Sequence, residues 1–245
     1  MCGRFVSATP PDEIARFFGV TETNETVLEP NYNVAPTTDI YTVLVSGGAR
    51  RLEPVHWGLV PWWAKDLSVG NRMINARMET LAEKSAFRRA FTKRRCIIPA
   101  DGFYEWHKRP GHKTKQPYFI ERVDGEPLAF AGLWEVWRGA DREGPPFPSA
   151  TIITGPANEK ISAIHDRMPI VLPPHAWDTW LDPAVGDLDL LGRFLVPAPS
   201  ELITMHPVST QVNNVRNVGE HLIDAVDAVE AVEAIEVAPN GDEPG

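Results

Sequence analysis

Apolar and polar positions along this chain alternate in short runs far more often than they recur at helical spacing. The opening CGRFV alternates as a short strand does, and Pro10, followed by Asp12 and Glu13, opens a helix running to about residue 18. NYNVAP leads into the strand-like IYTVLV, which Ser46, Gly47 and Gly48 bring to a turn. Residues 80–92 predict a helix, with Leu81, Phe87 and Phe91 on an apolar stripe and Arg88 and Arg89 outside it. Short strands follow in RCIIPA, GFYEWH, QPYFIERV, LAFAGLWEVW and SATIITG, and residues 173–181 read as a helix begun by two prolines. Many strands, few helices and no internal repeat predict an α+β fold, a single domain over residues 1–219 built around antiparallel sheet.

Residues 220–245 stand apart. Asp224, Asp227, Glu230, Glu233 and Glu236 fall three apart among Ala, Val and Ile, a spacing that drifts around an α-helix, and PNGDEPG closes the chain. The expectation is an acidic tail, weakly helical or disordered.

At 245 residues the chain can bury a full core in one domain. No apolar run is long enough to span a membrane, and MCGRFVSATPPDE lacks the basic start and apolar core of a signal peptide, so a cytoplasmic monomer with no membrane partner is expected. The two cysteines, Cys2 and Cys96, make no disulfide framework, and Cys96 in CIIPA reads as a buried small hydrophobe. His107 and His112 have a ligand-like gap but no Cys pair or carboxylate beside them in HKRPGHKTK, so no metal and no cofactor are expected.

Charge changes the picture because it is unevenly placed. The net charge is −9, yet eight acidic residues and no Lys or Arg lie from Glu220 onward, while residues 50–122 hold sixteen Lys/Arg against seven Asp/Glu. Trp57, Trp62, Trp63 and Trp106 are interleaved in that basic block. Cations for phosphates and aromatic faces for bases suit a groove for single-stranded nucleic acid; a solvated basic face over core tryptophans is the plainer alternative.

Cys2 carries the candidate chemistry. Aminopeptidase trimming removes an initiator Met ahead of a small side chain, which would leave a 1,2-aminothiol whose α-amine titrates near ~7.7–8.0 and whose thiol titrates near ~8.5 in unperturbed form. Amine attack on an aldehyde gives a Schiff base, and the thiol can then close a thiazolidine. Gly3 leaves room for a substrate, and Arg4 adds a cation near the reacting centre.

MCGRF, YNVAPT, HWGLVPWWAKD, INARMET, CIIPADGFYEW, AGLWE, IHDRMP and HPVS occur in the order, and at about the intervals, found in the SRAP family of abasic-site shielding proteins, and the resemblance runs from Cys2 to about Gly219. It implies a barrel-like α+β fold with a positively charged cleft, single-stranded DNA containing abasic sites as partner, covalent capture through Cys2, and peptidase activity limited to removing what precedes Cys2. By the same resemblance Asn75 holds the Cys2 end and the sugar, Glu105 transfers protons and His165 acts at the sugar. Arg4, Arg77, Thr154 and Arg167 would meet phosphates, with Pro36, Trp63 and Met73 at the gap left by the missing base and Trp106 in the groove.

Those roles are chemically sensible. In a strand, Phe103, Glu105 and His107 share one face and Tyr104 and Trp106 the other, so aromatics can desolvate Glu105 and favour its protonated, donating form. Imidazole exchanges protons near neutral pH, while Asp166 would point away from His165 if the two lie in a strand. The segment AKDLSVGNRM lengthens the stretch between Trp63 and Asn75 relative to the family pattern. Two other classes stay open on the residues alone: an amidotransferase with an N-terminal cysteine nucleophile, and a non-catalytic DNA-binding module.

Overall fold

Among the described residues, thirteen strands carry the fold: β1 (Phe5–Ser7), β2 (Glu22–Thr23), β3 (Asn31–Val34), β4 (Asp39–Ser46), β5 (Ala49–Trp57), β6 (Asn75–Arg77), β7 (Arg95–Ala100), β8 (Gly102–His107), β9 (Gln116–Arg122), β10 (Leu128–Trp137), β11 (Phe147–Pro156), β12 (Arg167–Pro169) and β13 (Ile203–Pro207). Short α-helices accompany them: α1 (Pro11–Phe17), α2 (Arg88–Lys93), α3 (Glu159–Ser162), α4 (Trp177–Leu181) and α5 (Leu188–Gly192). The computed structural model describes residues 2–111 and 113–227. His112 and the acidic stretch from residue 228 lie outside the described residues.

Antiparallel pairing links β11, β10, β7, β4 and β5 in that order, and a parallel contact of β5 with β11, Trp57 opposite Ala150, closes the ring. Closure removes the sheet edges within this barrel. A second sheet, ordered β13-β9-β8-β1-β3, lies against it. The chain passes from one sheet to the other at Asp101, between β7 and β8. Gly102 is needed there because a Cβ would stand 2.3 Å from the Phe119 ring.

Apolar side chains fill the space between the sheets, with Phe5, Trp57, Cys96, Phe103, Phe130 and Ile152 all buried. A separate cluster holds α1, α2, α4 and α5 against the barrel through Ile14, Phe18, Phe91, Trp180 and Leu191. The strands expected at RCIIPA, GFYEWH and LAFAGLWEVW occupy those residues.

Two expectations are corrected, and one strand was missed. Of residues 80–92 only those from Arg88 on, the start of α2 (Arg88–Lys93), are α-helical; Leu81, Phe87 and Phe91 are buried as expected, but the mostly polar, exposed stretch between the first two passes in turns. β5 escaped the sequence pattern because Arg50, Arg51, Glu53, Pro54 and His56 make it read as polar, yet it pairs with β4 from Ala49 to His56. The folded chain also continues past Gly219. Leu222 is fully buried against Val6, Tyr104 and Val208, Ala225 bridges to Val208, and the Val226 amide donates to Pro207 at 3.0 Å. Apolar positions among the acidic ones dock this part of the tail.

Candidate active site at the buried N-terminal cysteine

β1 brings Cys2 to its neighbours. It pairs antiparallel with β8, Phe5 opposite Phe103, and the pairing extends by a 3.0 Å hydrogen bond from the Tyr104 amide to the Arg4 carbonyl. Running back along β1 therefore means running forward along β8, from Phe103 toward Glu105. Phe103 joins the inter-sheet core while Tyr104 and Trp106 pack on the opposite side, which is the alternation the sequence predicts. Glu105 is only 3% exposed.

β6 delivers the next residue. It pairs in parallel with β11, Asn75 opposite Ile152, and the preceding Ile74 carbonyl takes the Trp57 indole N–H at 2.9 Å. The Asn75 side-chain amide donates to the Cys2 carbonyl at 2.7 Å. Its other end, Oδ1, is buried and accepts no hydrogen bond from any described residue.

His165 lies just past α3, in an irregular stretch rather than a strand. Its Nε2 is 4.0 Å from Oε2 of Glu105. Nδ1 lies 3.0 Å from the Arg167 amide nitrogen and 3.1 Å from the Asp166 carboxylate. The Arg167 carbonyl oxygen also lies 3.1 Å from Nδ1, so this nitrogen has a donor in the amide and acceptors in the carbonyl and Asp166, and can accept in one tautomer or donate in the other. The bend at Asp166 puts its carboxylate beside the ring, contrary to the strand geometry expected from sequence.

Burial pushes the Cys2 thiol well above its ordinary range, and the nearby Glu105 charge pushes the same way. The thiol stays protonated at neutral pH. No described group of His, Cys, Asp and Glu is arranged to hold a metal.

Cationic and aromatic candidates surround this centre. Arg4 donates from Nη1 to Asn33 at 2.7 Å and to the Val212 carbonyl at 2.8 Å, and its guanidinium lies 5.9 Å from the Trp106 ring centroid. Trp106 donates to Asn213 at 2.7 Å. Arg77 is exposed on β6. Arg167 makes a two-pronged pair with Glu79 at 2.6 and 3.1 Å and donates to the Thr154 carbonyl at 2.6 Å.

Thr154 is fully buried on β11, and its carbonyl and hydroxyl oxygens both accept from Nη2 of Arg167, at 2.6 and 3.4 Å. Trp63 is 44% exposed, Pro36 is partly exposed, and Met73 is partly buried with its carbonyl accepting the Leu59 amide at 3.1 Å. The lengthened stretch returns to the barrel where Gly70 meets Gly58, an approach so close that a Cβ on Gly70 would lie 2.5 Å from the Gly58 oxygen.

Sequence reasoning missed Asn33. It is buried, and its side-chain amide donates to the carbonyls of Val212, Asn214 and Asn217 at 3.1, 3.1 and 2.8 Å, fixing the segment on which Arg4 rests. The signal was present in YNVAPT, but Asn beside a strand end reads as a turn residue.

The SOS response associated peptidase (SRAP) family model matches residues 1–215. This chain belongs to the SRAP family. Among SRAP relatives it is similar to abasic site processing protein YoqW of Bacillus subtilis, 43% identical over 226 residues that cover 92% of this chain and 100% of the relative. Abasic site processing protein YedK of Escherichia coli is 34% identical over 91% of this chain and 99% of its own length. A solved structure from Bacteroides thetaiotaomicron superposes with a TM-score of 0.81 at 22% identity, covering 92% of this chain and 100% of the other, and shares the fold.

Proposed function

We propose that the protein captures abasic sites in single-stranded DNA covalently through Cys2. The names of its SRAP relatives support processing of abasic sites, and the observation that carries the finer mechanism is the convergence of Asn75, Glu105 and His165 on the Cys2 end of β1.

Removal of Met1, by the protein itself or by an aminopeptidase, converts the Cys2 amide nitrogen into an amine. An abasic sugar is mainly a closed hemiacetal, so ring opening must precede attack; Glu105 moves the proton between the anomeric hydroxyl and the ring oxygen, with His165 at 4.0 Å as its exchange partner. The amine adds to the aldehyde carbon, the carbinolamine loses one water, and an imine forms. The Cys2 thiol then adds its sulfur to the imine carbon and its proton to the nitrogen, closing the thiazolidine. A thiol held protonated by burial favours this order, amine first and sulfur second. Asn75 holds the Cys2 backbone and keeps a buried acceptor available for the amine or a sugar hydroxyl.

Arg4, Arg77 and Arg167 meet phosphates, while Pro36, Trp63 and Met73 occupy the space of the missing base and Trp106 lines the groove. Such contacts read backbone and aldehyde and carry no base sequence. An imine that loses its proton at C2′ before the sulfur closes would cleave the strand, an abasic-site lyase reaction.

Incubation with an oligonucleotide containing one abasic site tests this function. A protein–DNA band that survives denaturation is expected from the native chain and absent from Cys2→Ala.

A further inference from the structure

A basic cleft lies beyond the site just described. It has a volume of about 480 Å³ and is lined by Trp62, Arg89, Arg94, Val136, Arg138 and Arg142. Arg94 pairs with the buried Glu135, but among the described residues Arg89, Arg138 and Arg142 have no carboxylate within ion-pair distance. The uncompensated arginines are notable in a chain whose net charge is −9.

The guanidiniums are held in place. Arg89 on α2 lies 5.4 Å from the Trp62 ring centroid and Arg142 lies 4.5 Å from it, so the indole supports cations that arrive from two different elements. Arg142 has a φ of +68°, a left-handed conformation that non-glycine residues seldom adopt. Its turn is closed by hydrogen bonds from the Gly144 amide to Arg138 at 2.7 Å and from the Arg142 amide to Gly139 at 3.2 Å. The backbone thus accepts an unfavourable conformation while presenting this arginine on the indole. Asp141 and Glu143 share the turn, and Asp141 is occupied by the Glu143 amide.

The cleft adjoins the candidate site through sequence and contact. Trp62 immediately precedes the exposed Trp63, and the Trp137 indole at the end of β10 donates to the Ala64 carbonyl at 2.8 Å, tying the two-tryptophan turn to the strand that leads to Arg138. Planar guanidiniums aimed into an open cleft match phosphate oxygens.

We propose that this cleft is a second binding site for the phosphodiester backbone, seating the part of the single strand that flanks the nucleotide held at Cys2. The proposal rests on the DNA-capture function for what the strand is, but its test uses DNA without an abasic site. The variant Arg138→Gln/Arg142→Gly removes both loop charges, and glycine adopts the positive φ without strain. Binding is measured by fluorescence anisotropy with unmodified single strands of about 25 and about 5 nucleotides over a range of salt.

The expected result is a loss of about tenfold or more on the long strand, a salt slope shallower by ~0.7 for each phosphate contact removed, and a change of less than about twofold on the short strand. Arg89→Gln, on a separate element, should show the same dependence on length. Equal weakening of both strands, an unaltered long strand, or an effect confined to the loop variant would each overturn the proposal. A native chain that binds long DNA through this cleft yet forms no covalent adduct would refute the Cys2 mechanism alone.

Discussion

The side-chain amide of Asn75 donates to the carbonyl oxygen of Cys2 at 2.7 Å, joining β6, the neighbour of barrel strand β11, to the residue proposed to carry the chemistry. In the proposed mechanism this hydrogen bond fixes where the nucleophile stands, and the buried Oδ1 of the same side chain serves as an acceptor. Asn75→Ala should slow adduct formation by about 100-fold, the scale expected when a reacting group is misplaced by roughly 1 Å. Binding of unmodified DNA should change little, and single-turnover rates compared with affinities check the separation.

Glu105→Gln keeps the shape of the side chain but cannot exchange a proton. Adduct formation should fall by ~10²–10⁴ while DNA affinity is retained, and the defect should shrink on a small open-chain aldehyde that needs no ring opening. A normal crosslinking rate from this variant would make Glu105 structural and leave proton transfer to His165 or water.

Arg77 and Arg167 should behave differently although both are assigned to phosphates. Arg77 is exposed, so Arg77→Ala should make the salt dependence of binding shallower by ~0.7 and leave the melting temperature unchanged. Arg167 holds Glu79 and the Thr154 carbonyl, so Arg167→Ala should weaken DNA binding and lower the melting temperature as well. Calorimetry alongside a salt titration separates the two.

Much of this arrangement was legible in sequence because it follows from strand periodicity. The alternation of Phe103, Tyr104 and Glu105 in GFYEWH places Glu105 on the Phe103 face, and that is how β8 lies. The burial of Thr154 was not legible because it depends on what covers a strand, here β6 and β12 on either side of β11, which its own residue type does not reveal. His165 and Asp166 lie together because the chain bends between α3 and β12, a turn carried by neither glycine nor proline. The boundary at Gly219 was drawn from charge, whereas Leu222 and the bridge at Ala225 are decided by apolar contacts made over a long sequence separation.

That boundary has a measurable consequence. Ending the chain after Asp227 should leave folding and capture intact and, by removing acidic residues, bind DNA equally or more tightly. Ending it after Gly219 also strips Leu222 from Tyr104 and Val208, a loss of about 2 kcal/mol or more, visible as a lower melting temperature.

Both thiols are raised by burial, Cys2 with the added effect of Glu105. A group whose pKa is higher folded than unfolded contributes full stability below its unfolded value, near ~8.5 for a thiol, and loses it progressively as pH rises beyond that. Denaturant midpoints should therefore fall above about pH 8.5, and a disulfide reagent should titrate the two cysteines slowly in the folded protein and promptly in urea.

The mass of the covalent complex tests the central mechanism most directly. Native protein trapped on an abasic oligonucleotide should have the mass of the chain without Met1 plus that of the DNA less one water, with the DNA fragment mapped to Cys2. Cys2→Ala should give no stable complex, and Cys2→Ser, which keeps the amine, should give a transient imine and strand cleavage. A stable adduct from protein that retains Met1, or one mapped to any residue other than Cys2, would contradict the thiazolidine mechanism.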